Sequence, residues 1–468
     1  MNLSISQPVF WLYLINLVLV LSVILHMLYQ RRTPQNLMAW LLTLILLPYI
    51  GVFLYLLFGS RKFLNKHSKP MLAMHSISTT EPDHHFAVQL NHILRSNQIA
   101  GANCHNQVEV YQKDTAAFNG LMLAIENAKT HIHIETYIFE LDVTGKAILD
   151  ALIKKAQAGV EVRLLIDSLG SLNLYLRPKK LKPLLDAGGK YAFFQPLWSS
   201  IFKGKINLRN HRKIYLFDQT TLLTGGMNLS NDYLGTEQNT NHKKRWVDLM
   251  FKIQGPTTFH YQNIFNADWL YTTQENLAEP LQPIDKPQSK GQIMQAVPSG
   301  PDIESDALYE TLLQSIYLAE QHIQIVTPYF IPDSSIMKAL LIAIKRGVKV
   351  TLLTPETSGL ILFDLGRSSY MRELIEAGGE TYFYQGNMLH SKLIIIDRKA
   401  TVIGSANFDY PSLLINHEVV NFIYSASLIE TLSNWLEDLL AQSIRYQPNP
   451  SRTRKLFENL TRIIAPIL

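Results

Sequence analysis

The sequence predicts an α/β protein built from two repeats, each a β-sheet flanked by helices, related by a pseudo-two-fold and preceded by two N-terminal transmembrane helices. Three observations carry this. Two long apolar runs open the chain, strand-like and helix-like segments alternate after them, and the alternation returns about 190 residues later.

The apolar runs come first. Of 468 residues only 17% are charged, against about 25% in a soluble domain. The deficit sits at the N-terminus, where residues 1–60 hold only two charges, Arg31 and Arg32. They separate runs at 8–29 and 37–58, each reaching the roughly 20 residues a membrane helix needs. A cleaved signal peptide fits poorly, because the start lacks a positive region and a second apolar run follows at once. Pro48 is placed to kink the second run. Arg61, Lys62, Lys66 and Lys69 follow that run, against two basic residues in the connecting loop. The richer flank predicts a cytoplasmic main domain.

The formal charge is +5, from 43 basic and 38 acidic residues. Residues 1–80 contain six basic residues and no acid, so the remainder, with 37 basic and 38 acidic, is nearly neutral. That part has no global basic field of the kind a nonspecific nucleic-acid binder uses, and no nucleic-acid partner is expected. Composition excludes disorder and a disulfide scaffold. The single cysteine, Cys104, excludes an intrachain disulfide and a cysteine zinc site.

The repeats follow. Residues 131–139, His-Ile-His-Ile-Glu-Thr-Tyr-Ile-Phe, read as a strand. Residues 146–158 read as a helix with Ile148, Leu149, Leu152, Ile153 and Ala156 on one face and Gly159 as its stop, and 160–166 as the next strand. His-Ile-His-Ile at 131 returns as His-Ile-Gln-Ile at 322, Gly-Val-Glu-Val at 159 as Gly-Val-Lys-Val at 347, and Ala-Gly-Gly at 187 as Ala-Gly-Gly at 377. Pro280, Pro283 and Pro287 mark the join. The expected organisation is an anchor at 1–63, a linker at 64–106, a first repeat at 107–272, a linker at 273–291, a second repeat at 292–448 and a basic amphipathic tail at 449–468. The first repeat carries an insertion near 196–205 that mixes aromatic and basic residues. It and the tail are candidates for a lipid interface.

The chemistry lies in the repeat. His211-Arg-Lys213 with Asp218, and His390-Ser-Lys392 with Asp397, both follow the pattern H-x-K-x4-D. An asparagine stands 17 residues after each histidine, Asn228 and Asn407, and a carboxylate comes later in each half, Asp248 and Glu418. One such motif is a weak signal, whereas two with matched asparagines are not a chance pattern.

The doubled motif resembles the signature of the phospholipase D superfamily. Leu-Leu-Pro-Tyr-Ile-Gly at 46–51, Arg-Asn-His-Arg-Lys at 209–213, Gly-Gly-Met-Asn-Leu at 225–229, Thr-Pro-Tyr-Phe-Ile-Pro-Asp at 327–333 and Gly-Ser-Ala-Asn-Phe-Asp at 404–409 are similar to bacterial cardiolipin synthases. The likeness covers essentially the whole chain. It implies two phospholipase D-like repeats and a multi-pass enzyme of the bacterial inner membrane. The implied substrates are phosphatidylglycerol and other membrane phospholipids, and the implied reaction makes cardiolipin and glycerol through a phosphohistidine. A phospholipase D or nuclease-type phosphodiesterase using water stays open as the alternative.

The residues suit that chemistry on their own terms. Alternate strand residues share a face, so His211 and Lys213 point together, as do His390 and Lys392. Displacement at a phosphodiester needs a nucleophile, an acid for the leaving oxygen, and cations or hydrogen-bond donors on the phosphoryl oxygens. Two histidines fill the first two roles, and Lys213, Lys392, Asn228 and Asn407 fill the third. The resemblance implies that His211 attacks and His390 serves as acid and base, although the motif itself is symmetric. Asp248 and Glu418 are the candidates for orienting the histidines. Asp218 and Asp397 belong to the catalytic signature but fall on the opposite strand face, so a supporting role is expected. No metal-ligand pattern appears, and the chemistry calls for no cofactor. No pattern in the sequence fixes an oligomeric state.

Overall fold

The computed structural model describes residues 7–29, 34–58, 69, 71–72, 74, 79–202, 206–236, 245–277, 291–303 and 305–464. Arg61, Lys62, Lys66 and the three linker prolines lie outside them.

The N-terminal helices are α1 (Gln7–Tyr29), α2 (Pro34–Leu46) and α3 (Pro48–Phe58). The expected single helix at 37–58 is therefore two. Pro48 opens α3, and Gly51 lets it approach α2, since a Cβ there would stand 3.0 Å from the Thr43 carbonyl oxygen. At 13 and 11 residues these helices are about 20 and 17 Å long, short of the roughly 30 Å hydrocarbon core. Among the described residues, which in α1 omit several side chains of its first two turns, no helix is long and apolar enough to cross a membrane. Val23, Met27, Leu44, Val52 and Tyr55 form a small buried cluster between the three helices. Their outer surface stays apolar and exposed, with Trp11, Ile15, Leu25, Ile45 and Tyr49 all more than half accessible.

The first repeat contributes β1 (Asn103–Tyr111), β2 (His131–Thr136), β3 (Glu161–Asp167), β4 (Lys190–Phe194), β5 (Ile214–Phe217), β6 (Thr221–Gly225) and β7 (Met250–Gln254). The second contributes β8 (Gln292–Ser299), β9 (His322–Val326), β10 (Phe330–Ile331), β11 (Lys349–Pro355), β12 (Glu380–Tyr384), β13 (Leu393–Ile396), β14 (Ala400–Gly404), β15 (Phe408–Asp409), β16 (Glu418–Ile423) and β17 (Ser443–Arg445). Fifteen of these strands form one sheet, in the order β17-β12-β11-β9-β13-β14-β16-β8-β1-β7-β6-β5-β2-β3-β4. Apart from the edge strand β17, the order reads the same from either side of the β8–β1 junction once each strand is replaced by its counterpart in the other repeat. That is the strand order a pseudo-two-fold duplication requires. β10 and β15 pair separately in a two-stranded parallel sheet.

Two local boundaries differ from the sequence expectation. The helix expected at 146–158 runs Val143–Gln157, because Asp142 caps it three residues earlier by accepting from the Gly145 amide at 2.9 Å. The strand expected at 131–139 ends at Thr136. Beyond it the chain leaves the sheet, and the Ile138 amide donates to Asn228 Oδ1 at 3.2 Å. This turns Tyr137 and Ile138 into a cavity wall. The insertion of the first repeat forms a short helix, Leu197–Phe202, with Trp198 well exposed. Residues 203–205 lie outside the described set.

One large core belongs mainly to the second repeat, one to the first, and a third runs across both. The hairpins that carry the motif aspartates are alike. Asp218 and Gln219, and Asp397 and Arg398, all adopt φ between 51° and 57°, the double left-handed turn that matches strand twist.

Candidate active site

Each signature histidine stands just before a central strand, His211 ahead of β5 and His390 ahead of β13. The repeats meet there through two matching backbone contacts. His211 N donates to the His417 carbonyl at 2.9 Å, and His417 N to the Arg209 carbonyl at 2.9 Å. On the other side His390 N donates to the Val247 carbonyl at 2.8 Å, and Val247 N to the Met388 carbonyl at 2.7 Å. Residues 417 and 247 each precede a candidate carboxylate. These bridges therefore deliver Glu418 to His211 and Asp248 to His390, crossing between repeats.

The carboxylates engage the Nδ1 atoms. His211 Nδ1 lies 3.1 Å from Glu418 and 3.1 Å from the Ser405 carbonyl. His390 Nδ1 lies 2.8 Å from Asp248 Oδ2. A donor at Nδ1 places the lone pair of a neutral ring on Nε2. The two Nε2 atoms differ. Tyr233 OH is 3.3 Å from that of His390, and no protein hydrogen bond to His211 Nε2 occurs among the described residues. Tyr137 packs edge-on to the His211 ring, with centroids 4.8 Å apart, while Tyr233 and Trp246 pack against His390.

Both histidines line one cavity of about 300 Å³, together with Asn228, Asn407, Arg209 and Asp409. Its remaining wall is largely aromatic and apolar, including Tyr137, Trp246, Tyr329, Leu360 and Phe363. Lys213 and Lys392 are not on that wall. They lie buried behind the histidines, with Lys213 Nζ donating to the His211 carbonyl at 2.7 Å. Lys392 Nζ sits 2.7 Å from His390 Nδ1 and 3.0 Å from Nε2.

Burial governs the protonation states. It lowers the Lys213 ammonium to about 7 against the pull of Glu418, and that of Lys392 to about 8 against Asp248. Burial and the neighbouring Lys392 hold His390 down at about 3. Burial also lowers His211, countered by Glu418. Burial pushes both orienting carboxyls upward, but their partners win. Lys392 and His390 hold Asp248 below its ordinary value, and His211, Lys213 and Ser405 do the same for Glu418. The site thus holds two neutral histidines, each with an ionised carboxylate on Nδ1.

Asp218 and Asp397 are absent from the cavity wall. Asp218 accepts from the backbone amides of Lys129, Thr130 and His131 at 2.7–3.0 Å. Asp397 accepts from those of Glu320, Gln321 and His322 at 2.8 Å each. Each ties the turn before β2 or β9 to its hairpin, the kind of supporting contact expected of these two signature residues.

Sequence reasoning missed several residues. Tyr233, Trp246, Arg209 and Asp409 all reach the cavity, and burial lifts the Asp409 carboxyl to about 7. Trp246 stands two residues before Asp248, the strand spacing that would have flagged it. Also missed was an ionic cluster behind the site. Arg212, the middle residue of the first motif, reaches Asp268 at 2.7 Å and Asp302 at 3.3 Å. Lys69 contacts Asp268 and lies 2.7 Å from Asp302, and His417 Nδ1 is 2.9 Å from Asp302. Lys69 is thus buried in the protein and does not flank the membrane as the charge count assumed. Asp268, Asp302 and His417 are also the one group among the described residues with metal-ligand spacing. Lys69 and Arg212 already neutralise its two carboxylates, so it reads as an ion-pair network.

Two facing histidine–lysine motifs, closed by carboxylates exchanged between repeats on one α/β sheet, define an enzyme of the phospholipase D type. A family model described as cardiolipin synthase, PLD-like domain, matches residues 121–269 and 312–440, and one described as phospholipase D-nuclease N-terminal matches 14–60. Among curated relatives, cardiolipin synthase 1 of Bacillus anthracis is 32% identical over 94% of this chain and 90% of its own length. The major cardiolipin synthase of Bacillus subtilis is 33% identical over 97% of this chain and 98% of its own. A solved phosphatidylserine synthase from Haemophilus influenzae shares the fold over 81% of this chain and 100% of its own, with a TM-score of 0.60 at 16% identity. The chain belongs to the bacterial cardiolipin synthase family of the phospholipase D superfamily.

Proposed function

We propose that the enzyme transfers a phosphatidyl group from one phosphatidylglycerol to another, giving cardiolipin and glycerol. The observation that carries this reading is the pairing of His211 and His390 on one cavity, each with its Nδ1 held by a carboxylate of the opposite repeat. His211 Nε2 attacks phosphorus, and the bond from phosphorus to the headgroup glycerol oxygen breaks. His390 gives that oxygen its proton, and glycerol leaves. The headgroup hydroxyl of a second phosphatidylglycerol then loses its proton to His390 and attacks the phosphohistidine. Cardiolipin forms, and His211 is released.

The difference at Nε2 supports this division of roles. An open lone pair suits a nucleophile, whereas the Tyr233 hydroxyl within reach of His390 suits a group that exchanges protons. The arriving phosphodiester anion raises the basicity of both rings, which gives His390 its proton for the first step. Asn228 and Asn407 donate to the phosphoryl oxygens, with Lys213 and Lys392 supplying charge from behind.

A lipid substrate fits the aromatic wall and the exposed apolar surface of α1–α3, a surface that water does not favour. In this reading those helices embed in the bacterial inner membrane. With Lys69 removed from the count, three basic residues still follow them against two in the loop. The repeats are accordingly placed on the cytoplasmic side.

Product analysis on phosphatidylglycerol bilayers tests the function. Cardiolipin and glycerol in equal amounts are expected. Phosphatidic acid without cardiolipin would instead make water the acceptor. Acid-labile lipid phosphate trapped on a His390→Ala variant, and absent from His211→Ala, tests the roles.

A further inference from the structure

The C-terminal helix, Arg452–Ile464, docks with its polar side inward. Glu458 is fully buried between Arg372 and Arg454, the latter at 3.0 Å. Thr461 is buried beside it. Arg462 pairs with Glu373 at 2.6 Å and lies 4.2 Å from the centre of the Tyr370 ring. These residues form one stripe, at 454, 458, 461 and 462. The other stripe holds Leu456, Phe457 and Leu460, which are 60%, 60% and 49% exposed. An amphipathic helix on a soluble domain buries its apolar stripe. This one spends buried ion pairs on holding it outward.

The receiving helix, Ile361–Glu376, reaches the active site at its other end. Leu360 and Phe363 line the cavity, and Leu360, Ile361 and Leu362 are 48%, 78% and 51% exposed. One helix therefore joins the edge of the cavity to the outward apolar stripe.

We propose that the outward face of Arg452–Ile464 is a lipid-contact surface that lies in the headgroup region of the anionic bilayer holding the substrate. Charge decides for lipid. Arg452 and Lys455 are exposed beside the stripe, the combination that an interfacial helix presents to anionic headgroups. Area decides against a second copy, because three side chains fall well short of the roughly 800 Å² per partner that a stable interface buries. The inference rests on the proposed lipid substrate, and its test separates the two.

The full chain is reconstituted in nanodiscs of phosphatidylglycerol and phosphatidylcholine. Cys104→Ser removes the only cysteine, and Phe457→Cys carries an environment-sensitive fluorophore. Blue-shifted emission is expected, with at least two-fold quenching by lipids spin-labelled near the headgroup and protection from aqueous iodide. Full iodide quenching without lipid quenching overturns the proposal. So does a disulfide-linked dimer of the unlabelled Phe457→Cys variant, which would assign the face to a second copy. Leu456→Asp with Phe457→Asp is expected to raise the KM for bilayer phosphatidylglycerol at least ten-fold, with kcat within two-fold. A KM unchanged by that pair also overturns it. If the labelled Phe457→Cys protein shows lipid quenching while wild-type protein makes no cardiolipin, the surface stands and the proposed reaction fails.

Discussion

His390 Nδ1 lies 2.8 Å from Asp248, a carboxylate that belongs to the other repeat, and Glu418 serves His211 in the same crossed manner. Neither repeat supplies both the signature histidine and the carboxylate that holds its Nδ1. Replacing Asp248 by asparagine keeps the shape but permits the wrong tautomer, with Nδ1 accepting and Nε2 protonated. Asp248→Asn and Glu418→Gln are each expected to lower kcat on the order of 10³–10⁴-fold. Circular dichroism should stay unchanged. Losses under ten-fold in both would contradict an orienting role.

The buried lysines set the alkaline side of the pH profile. A base whose value has been lowered loses its charge as the pH rises through that value. For Lys213 and Lys392 the window lies at about 7 and about 8. His211, lowered by burial, loses its lone pair only as the pH falls below its ordinary value. A bell-shaped kcat/KM is expected, falling in acid below the ordinary imidazole value of about 6.5 and in alkali in two steps, from about pH 7 with Lys213 and about pH 8 with Lys392. Lys392→Arg keeps its charge throughout and should move the alkaline fall to higher pH. An alkaline limb identical in Lys392→Arg and Lys392→Met would remove that lysine from the explanation.

The doubled motif was legible from its repeated spacing, but the shared strand face was not what formed: each histidine and its lysine precede the strand, and the lysine lies buried off the cavity wall. The asparagine 17 residues on returns across the hairpin to the cavity. The symmetry of the strand order about the β8–β1 junction accords with the same duplication, while the order within each half came only from the structure. What the carboxylates do was only half legible. Their presence in each half is a matter of sequence, but the exchange between Asp248 and Glu418 comes from the closure of two repeats around an axis. The cluster of Lys69, Arg212, Asp268, Asp302 and His417 spans nearly 350 residues of chain, and no local pattern announces it. The run at 37–58 breaks into two helices at Pro48, the residue placed to kink it, but its hydropathy alone did not say that the kink would divide the helix.

Lys69 ties the segment after the anchor into the core behind the site. Arg212 and Lys69 together hold Asp268 down at about 2 against the upward push of burial. Removing one cation strands a buried carboxylate. Lys69→Met is therefore expected to cost about 3–5 kcal/mol, read as a lower thermal midpoint, with Lys69→Arg milder. The stability from Asp268 is full above its unfolded value near 4 and is lost as the pH falls toward about 2. A midpoint for Lys69→Met equal to wild type would show that Arg212 alone suffices.

The motif aspartates should behave unlike the histidines. Asp218→Asn and Asp397→Asn each weaken amide hydrogen bonds that pin a turn, at an expected cost of about 1–3 kcal/mol. Cardiolipin formation well below the melting temperature should stay within a few-fold of wild type, while His211→Ala abolishes it. A loss of turnover in either aspartate variant without a fall in melting temperature would return it to the catalytic set.

Gly226 offers a test of how closely the orienting carboxylate must be held. A Cβ there would stand 2.3 Å from both Asp248 oxygens, so Gly226→Ala must displace the carboxylate from His390. At least a ten-fold loss of kcat is expected, with the fold retained. The corresponding residue in the second repeat is Ser405, whose hydroxyl donates to Glu418 at 2.5 Å. A side chain is accepted there because glutamate is one methylene longer and reaches its histidine past it. Introducing that pair into the first repeat, as Gly226→Ser with Asp248→Glu, should therefore recover activity that Gly226→Ser alone has lost. The coupling energy from the double-mutant cycle is expected to be favourable. Additive losses would mean that Gly226 is required for the backbone and not for the carboxylate.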